Sequence, residues 1–233
     1  MGFSDFYVTA IVPAGGKGTR FGSSIPKQFL EIHHRPILFY SLRQLENSPD
    51  ISEIVIAIHA EWQNQMANWV KEWKFKKIAH IVSGGIERQD SVAKALEVLS
   101  PHTKWILIHD AVRPLISLEK IHEVTEAGYK HGAAILAIPS RNTLKRCKNG
   151  WVEETIDREE FWQVQTPQVF QKELLLSAYR KAFEEGFYGT DDAMLVERLG
   201  HPVRVVLGDE KNIKITTAYD MQFVEMLLQK EKA

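Results

Sequence analysis

Three short segments of this 233-residue chain carry the residue types that anion and metal chemistry needs. The first is Pro13-Ala14-Gly15-Gly16-Lys17-Gly18-Thr19-Arg20, directly after an apolar run. Glycine and alanine let a backbone approach a ligand closely and turn its N–H groups toward an anion. Arg20 adds a forked donor matched to phosphate oxygens, and Lys27 in Pro26-Lys27-Gln28 adds a compact positive charge. Two familiar phosphate loops do not fit. A dinucleotide fingerprint G-x-G-x-x-G beginning at Gly16 needs glycine where Phe21 stands, and Pro26 would interrupt the helix it opens. The pattern G-x-x-x-x-G-K-[ST] is absent. Any grip on phosphate is therefore of a third kind, and glycines alone would also suit a plain strand-to-loop turn.

The second segment, Ser83-Gly84-Gly85-Ile86-Glu87-Arg88-Gln89-Asp90-Ser91, runs from a strand end into a helix. Its small residues could hold a flat base, although Asp90 or Ser91 would equally serve as a helix cap. The third, His109-Asp110-Ala111-Val112-Arg113-Pro114, follows the apolar strand WILI. A carboxylate such as Asp110 beside a phosphate loop suits Mg²⁺, which takes one or two carboxylates plus phosphate oxygens. Asp110 could instead cap the next helix, and Arg113 could meet a second anion. The nine histidines lack H-x-x-H or H-E-x-x-H spacing, which argues against zinc.

Positioning these segments requires a strand–helix alternation, and the sequence has one. Strands are read at Tyr7–Val12, Glu53–Ile58, Ile78–Val82, Trp105–His109, Ala133–Ile138 and Val203–Leu207. Helical spacing appears around Leu38–Leu45, over Ser91–Leu99, Leu118–Tyr129, Lys172–Phe183 and Asp192–Leu199, and from Ala218 onward. Trp62, Met66, Trp69, Val70 and Trp73 also recur at helical spacing, as core or subunit contact rather than a cofactor box. The pattern predicts an α/β, Rossmann-like, mostly parallel sheet with helices on both faces. Ligands of such sheets sit beyond the carboxyl ends of the strands, where all three segments fall. The rhythm breaks after Pro139. Polar runs Arg141–Arg146 and Trp151–Ile156 flank Asn149-Gly150, a type I′ hairpin pair. The expected layout is one domain over 1–233, with a protruding arm at about 139–160. An arm too polar to pack on itself suggests exchange between two copies, hence a homodimer.

Composition narrows the partners. Lys plus Arg (29) nearly cancel Asp plus Glu (30), so no global field recruits nucleic acid or an anionic membrane. No apolar stretch approaches a membrane span, and Met1–Ala10 lacks the features of a signal peptide, so a cytoplasmic location is expected. The only cysteine, Cys147, excludes an internal disulfide and reads as structural.

Seven motifs in order, PAGGKGTRFG with PKQF, SGGIERQDSV, HDAVRP, IPSRNTLKR, DREEFWQVQTPQVF, TDDA and NIKITT, span Ala10 to Asp220. Together they resemble the 2-C-methyl-D-erythritol 4-phosphate cytidylyltransferases of the non-mevalonate isoprenoid pathway. That resemblance implies CTP and methylerythritol phosphate as substrates and Mg²⁺ as cofactor. Ala14, Gly15, Gly16, Arg20 and Lys27 would hold the triphosphate, with Arg20 and Lys27 catalytic. Gly85 and Ser91 would contact the cytosine end, and Asp110 would bind the metal. Arg113, Thr143, Thr190 and Lys214 would form the acceptor site, with Arg158 reaching it from a partner's arm. Asn142 stands where the family often has Asp, Ile86 where an acidic residue is common, and TDDA replaces TDEA. Two alternatives share these features: a ribitol 5-phosphate cytidylyltransferase, and a non-catalytic nucleotide-binding protein of the same fold.

Overall fold

The computed structural model describes residues 6–16 and 25–230. The first apolar run becomes β1 (Val8–Ala14), two residues longer at its end than its sequence suggests. Pro13 is tolerated there because the β1–β6 register stops at Ile11, so its missing N–H faces no strand partner. A 3₁₀ turn at Lys27–Phe29 and two short paired strands, β2 (Glu31–Ile32) and β3 (Arg35–Pro36), lead into α1 (Ile37–Asn47). The alternation then proceeds through β4 (Glu53–Ile58), α2 (Gln63–Trp73), β5 (Ile78–Ser83), α3 (Arg88–Leu96), β6 (Trp105–Ile108), α4 (Leu118–His131) and β7 (Ala133–Pro139). Next come β8 (Leu144–Lys148), β9 (Trp151–Ile156), β10 (Trp162–Gln171), α5 (Lys172–Glu184), α6 (Asp192–Arg198), β11 (Arg204–Leu207) and α7 (Ala218–Lys230).

Seven strands form one sheet in the order β11-β7-β10-β6-β1-β4-β5. All neighbours are parallel except β10, which runs antiparallel to both β6 and β7. The sequence reading assigned no strand to Trp162–Gln171. Its glutamines at 163, 165 and 168 break the apolar run, and Pro167 argues against a central strand. The structure accommodates Pro167, after a cis peptide from Thr166, in a register shift between Val164 and Gln168.

Side chains of β1 alternate between two apolar layers, as strand geometry requires. Val8, Ala10, Val12 and Ala14 pack with Leu38, Leu42 and Leu45 of α1 and Ile121 and Val124 of α4. Ile11, on the other face, packs with Val92 of α3, Leu175 of α5 and Val196 of α6. A third cluster joins Val112 and Ile215 to Val224 and Leu228 of α7, so the closing helix backs the loops beyond the sheet. The tryptophan stripe is core packing: Phe29 stacks on Trp62 at 4.0 Å, and Trp69 on Trp73 at 5.6 Å.

The hairpin forms as read. Asn149 and Gly150 have φ of 51° and 83°, both left-handed as a type I′ turn demands. Strand β8 begins three residues later than expected. Cys147 lies exposed on it, its thiol 4.0 Å from the Lys145 carbonyl. Among the described residues, no helix is long and apolar enough to cross a membrane.

Candidate active site

From β1 the chain moves outward to β4 and β5, then returns to the other side of β1 for β6. This reversal opens a crevice at the carboxyl ends of the strands. A cleft of about 150 Å³ lies there, lined by Ala14, Gly15 and Gly16, Lys27 and Gln28, Ser91, Asp110 and Lys214, among others. Arg20 lies outside the described residues.

The two glycine segments fit against each other with no room for a side chain at Gly15 or Gly84. A Cβ on Gly15 would come within 2.9 Å of Ser91 Oγ, and one on Gly84 within 3.0 Å of Gly15 Cα. A Cβ on Gly85 would overlap Asp90 at 2.1 Å. Ser91 is buried, donates to the Glu87 carbonyl and accepts from the Gly85 N–H at 3.0 Å. Its hydroxyl thus shapes the loop as well as lining the cleft. Helix α3 starts at Arg88, not Ser91, capped by Glu87 with Asp90 as its reciprocal partner.

Asp110, only 7% exposed, sits at the centre of three cations. Its Oδ1 accepts from Arg88 Nε at 3.1 Å and its Oδ2 from Lys214 Nζ at 2.9 Å, with Arg113 Nε 3.5 Å away. Burial alone would raise its pKa, but Arg88, Lys214 and Arg113 outweigh that and hold it far below the usual carboxylate range. Arg88 also donates to Asp192 Oδ2 at 2.7 Å, and Tyr179 donates to Asp192 Oδ1. Although burial opposes its charge, Asp192 and Asp110 keep Arg88 protonated well above its ordinary range.

A second cavity, of about 220 Å³, adjoins the first and shares Arg88, Asp110 and Lys214 with it. Arg113, Gln165 and Thr190 are among its other walls. Three consecutive side chains of α3 tie the loop carrying Thr190 in place. Arg88 holds Asp192, Gln89 bonds to both the Phe187 carbonyl and the Gly189 N–H, and Asp90 accepts from Tyr188. Arg113 is buried and donates to the Asn212 carbonyl at 2.7 Å. Thr143 and Arg158 line neither cavity: both are exposed on the arm segment, where Arg158 donates to the Arg141 carbonyl.

Gln28, Arg88, Gln89 and Asp192 were not singled out from sequence. Arg88 and Gln89 lay inside a motif already quoted, and the second acidic residue of TDDA was the only hint of Asp192. His109 is a fastener. Its Nε2 lies 3.1 Å from the Arg113 carbonyl and its Nδ1 3.2 Å from Thr166 Oγ1, which itself accepts the Asp110 N–H. The consistent tautomer donates from Nε2 and accepts at Nδ1. Burial pushes His109 down to about 4. A histidine buried neutral stabilises the fold above its unfolded pKa of about 6.5 and loses that contribution as pH falls toward 4. We expect about 3 kcal/mol of stability to disappear across that window and no more from this group below it. Denaturant unfolding of wild type and His109→Gln between pH 7 and 4 checks this, since the variant should show a shallower dependence.

The chain matches the family model for 2-C-methyl-D-erythritol 4-phosphate cytidylyltransferase over residues 8–230. It is 43% identical over 227 residues to the protein of that name from Syntrophus aciditrophicus, covering 97% of each chain. It is 42% identical over 228 residues to that from Dictyoglomus thermophilum, covering 97% of this chain and 98% of the relative. Its structure resembles a 4-diphosphocytidyl-2C-methyl-D-erythritol synthase from Anaerococcus prevotii, with TM-score 0.84, 31% identity and coverage of 96% and 98%. The Thermus thermophilus cytidylyltransferase aligns with TM-score 0.80, 32% identity and coverage of 96% and 99%. With its motifs, its crevice and this agreement over nearly the whole chain, the protein belongs to the 2-C-methyl-D-erythritol 4-phosphate cytidylyltransferase family.

Proposed function

We propose that this chain transfers CMP from CTP to 2-C-methyl-D-erythritol 4-phosphate, giving 4-diphosphocytidyl-2-C-methyl-D-erythritol and pyrophosphate. The observation that carries the reading is the pair of adjoining cavities that share Arg88, Asp110 and Lys214 as a common wall. Two anionic substrates placed on either side of one cationic wall would meet at it. The glycine loop with Lys27 and Arg20 would hold the triphosphate, and the segment Gly85–Ser91 the cytosine end. Arg113, Thr190 and Lys214 would hold the acceptor.

A phosphate monoester has a second pKa of about 6, so its oxygen is already a nucleophile at neutral pH. That oxygen would form the new bond to the α-phosphorus as the bond to the β-phosphate oxygen breaks in line. No proton needs to move, and positioning with charge neutralisation supplies the catalysis. Lys27 and Arg20 would stabilise charge on the equatorial and leaving oxygens.

A divalent cation fits Asp110. The carboxylate lines both cavities, and Oδ1 keeps a lone pair beyond its bond to Arg88, while Oδ2 already faces Lys214 and Arg113. Among the described residues, no group of three or more His, Cys, Asp or Glu side chains is placed to hold a metal. Most ligands of a Mg²⁺ at Asp110 would therefore be phosphate oxygens and water, its usual preference. When bound, it would neutralise charge on the triphosphate.

A homodimer and a cytoplasmic location complete the proposal. Thr143 and Arg158 stand clear of both cavities, as residues serving a second copy's site would. Incubation with CTP and Mg²⁺ plus either methylerythritol phosphate or ribitol 5-phosphate, with pyrophosphate release as readout, tests the reaction. Release with the first acceptor is expected, and excess EDTA should abolish it until Mg²⁺ is restored. Release with ribitol phosphate alone would favour that activity instead, and CTP binding without release from either would favour a non-catalytic role.

A further inference from the structure

We propose that Gln28 is a positioning residue, whose buried side-chain amide holds the carbonyls of the phosphate loop away from the incoming anion. Gln28 is 3% exposed. Its Nε2 donates to the Ala14 carbonyl at 2.7 Å and to the Gly16 carbonyl at 3.0 Å. The orientation of the amide is forced, because the flipped form would set its oxygen against two carbonyl oxygens at those distances. Both of its N–H groups are thus spent on two loop carbonyls that flank Gly15.

The support beneath Gln28 is rigid on both sides. Lys27, Gln28 and Phe29 form one 3₁₀ turn. Phe29, 4% exposed, stacks on Trp62 at 4.0 Å with 18° between the rings. On the other side, Lys27 Nζ donates to the Ile215 carbonyl at 3.1 Å. One turn therefore carries a cation at the cleft, a clamp on the loop and an aromatic anchor in the core. Each carbonyl is the negative end of a peptide dipole, and one swung into the cleft would repel a triphosphate. Fixing two of them against Gln28 keeps those two carbonyls from turning toward the anion. Ala14, Gly15 and Gly16 carry no side chain that bonds, so this stretch of the loop takes its support from Gln28.

This inference rests on the phosphate-binding reading of the cleft, so the test separates the two. Binding of CTP and of inorganic tripolyphosphate is measured by calorimetry without acceptor, for wild type, Gln28→Met and Gln28→Glu between pH 8 and 5. The Michaelis constants of both substrates and the melting temperatures are measured alongside. Gln28→Met should weaken both phosphate ligands by about 10-fold, the size of losing one to two hydrogen bonds, with the acceptor's Michaelis constant unchanged within about 2-fold. Gln28→Glu should bind more weakly still at pH 8, where a carboxylate faces two carbonyls. Relative to wild type at the same pH, it should recover as acid protonates it and restores one O–H donor. A merely structural role would move both Michaelis constants together and give no such recovery, and either result overturns the proposal. Wild type that binds tripolyphosphate but not CTP would sink the nucleotide reading alone, leaving the loop proposal to be decided by the tripolyphosphate series.

Discussion

Replacing Lys27 with alanine will lower turnover by at least ~10²-fold, the size of losing one preorganised donor at developing charge. Lys27 lines the cleft beside Gly15 and Gly16, on a turn that the Phe29 anchor and the Gln28 clamp hold in addition to the ammonium's own bond to the Ile215 carbonyl. The substitution therefore removes charge from the site and one tie of the turn, while the anchor and the clamp remain. The loss should fall on the single-turnover rate as well as on CTP affinity, because charge on the leaving oxygens grows toward the transition state. Lys27→Arg should recover only part of the rate, since its fork is longer and differently shaped. Rapid-quench measurement of one turnover, with the melting temperature as control, checks both variants. A folded Lys27→Ala protein turning over near the wild-type rate would remove Lys27 from the catalytic set.

Asp110→Asn is the second large effect, with turnover again down by at least ~10²-fold and the Mg²⁺ dependence shifted to higher concentration. Asparagine keeps the shape and loses the charge that Arg88, Lys214 and Arg113 surround. It also loses one hard anionic ligand for a divalent cation. Breaking a fully buried pair costs about 3–5 kcal/mol. The stability loss should sit at the low end of that range. Arg88 keeps Asp192, and Lys214, with 39% of its side chain exposed, can turn to water, which leaves buried Arg113 as the cation that loses its carboxylate. Pyrophosphate release against Mg²⁺ concentration, together with denaturant unfolding, separates the two effects. An unchanged Mg²⁺ dependence would take the metal away from Asp110.

The Asp110 cluster also explains how the two cavities are joined. Its wall is built from residues on β6's following loop, the start of α3 and the segment before α7, and α3 also fastens the Thr190 loop. A change of charge at Asp110 is therefore felt on both sides of the wall. Lys27 acts on the first cavity alone.

Much of this architecture was written locally. Apolar runs such as Glu53–Ile58 and the helical spacing of Leu38, Leu42 and Leu45 report burial that neighbouring residues along the chain decide, so both formed as read. Asn149-Gly150 dictated its turn for the same reason: left-handed backbone is a property of those two residues. The glycine loop, the segment before α3 and Asp110 were legible because strand ends in such a sheet converge on one crevice. Tertiary structure decided the rest. No local periodicity reveals that β10 enters the sheet, because glutamines and Pro167 hide a strand whose place is fixed by β6 and β7 on either side. Nor does it reveal Gln28 closing on the loop, or Arg88 meeting Asp192 across 104 positions. A buried amide or ion pair is chosen by which distant segments the fold brings within about 3 Å, and that geometry exists only once the layers have packed.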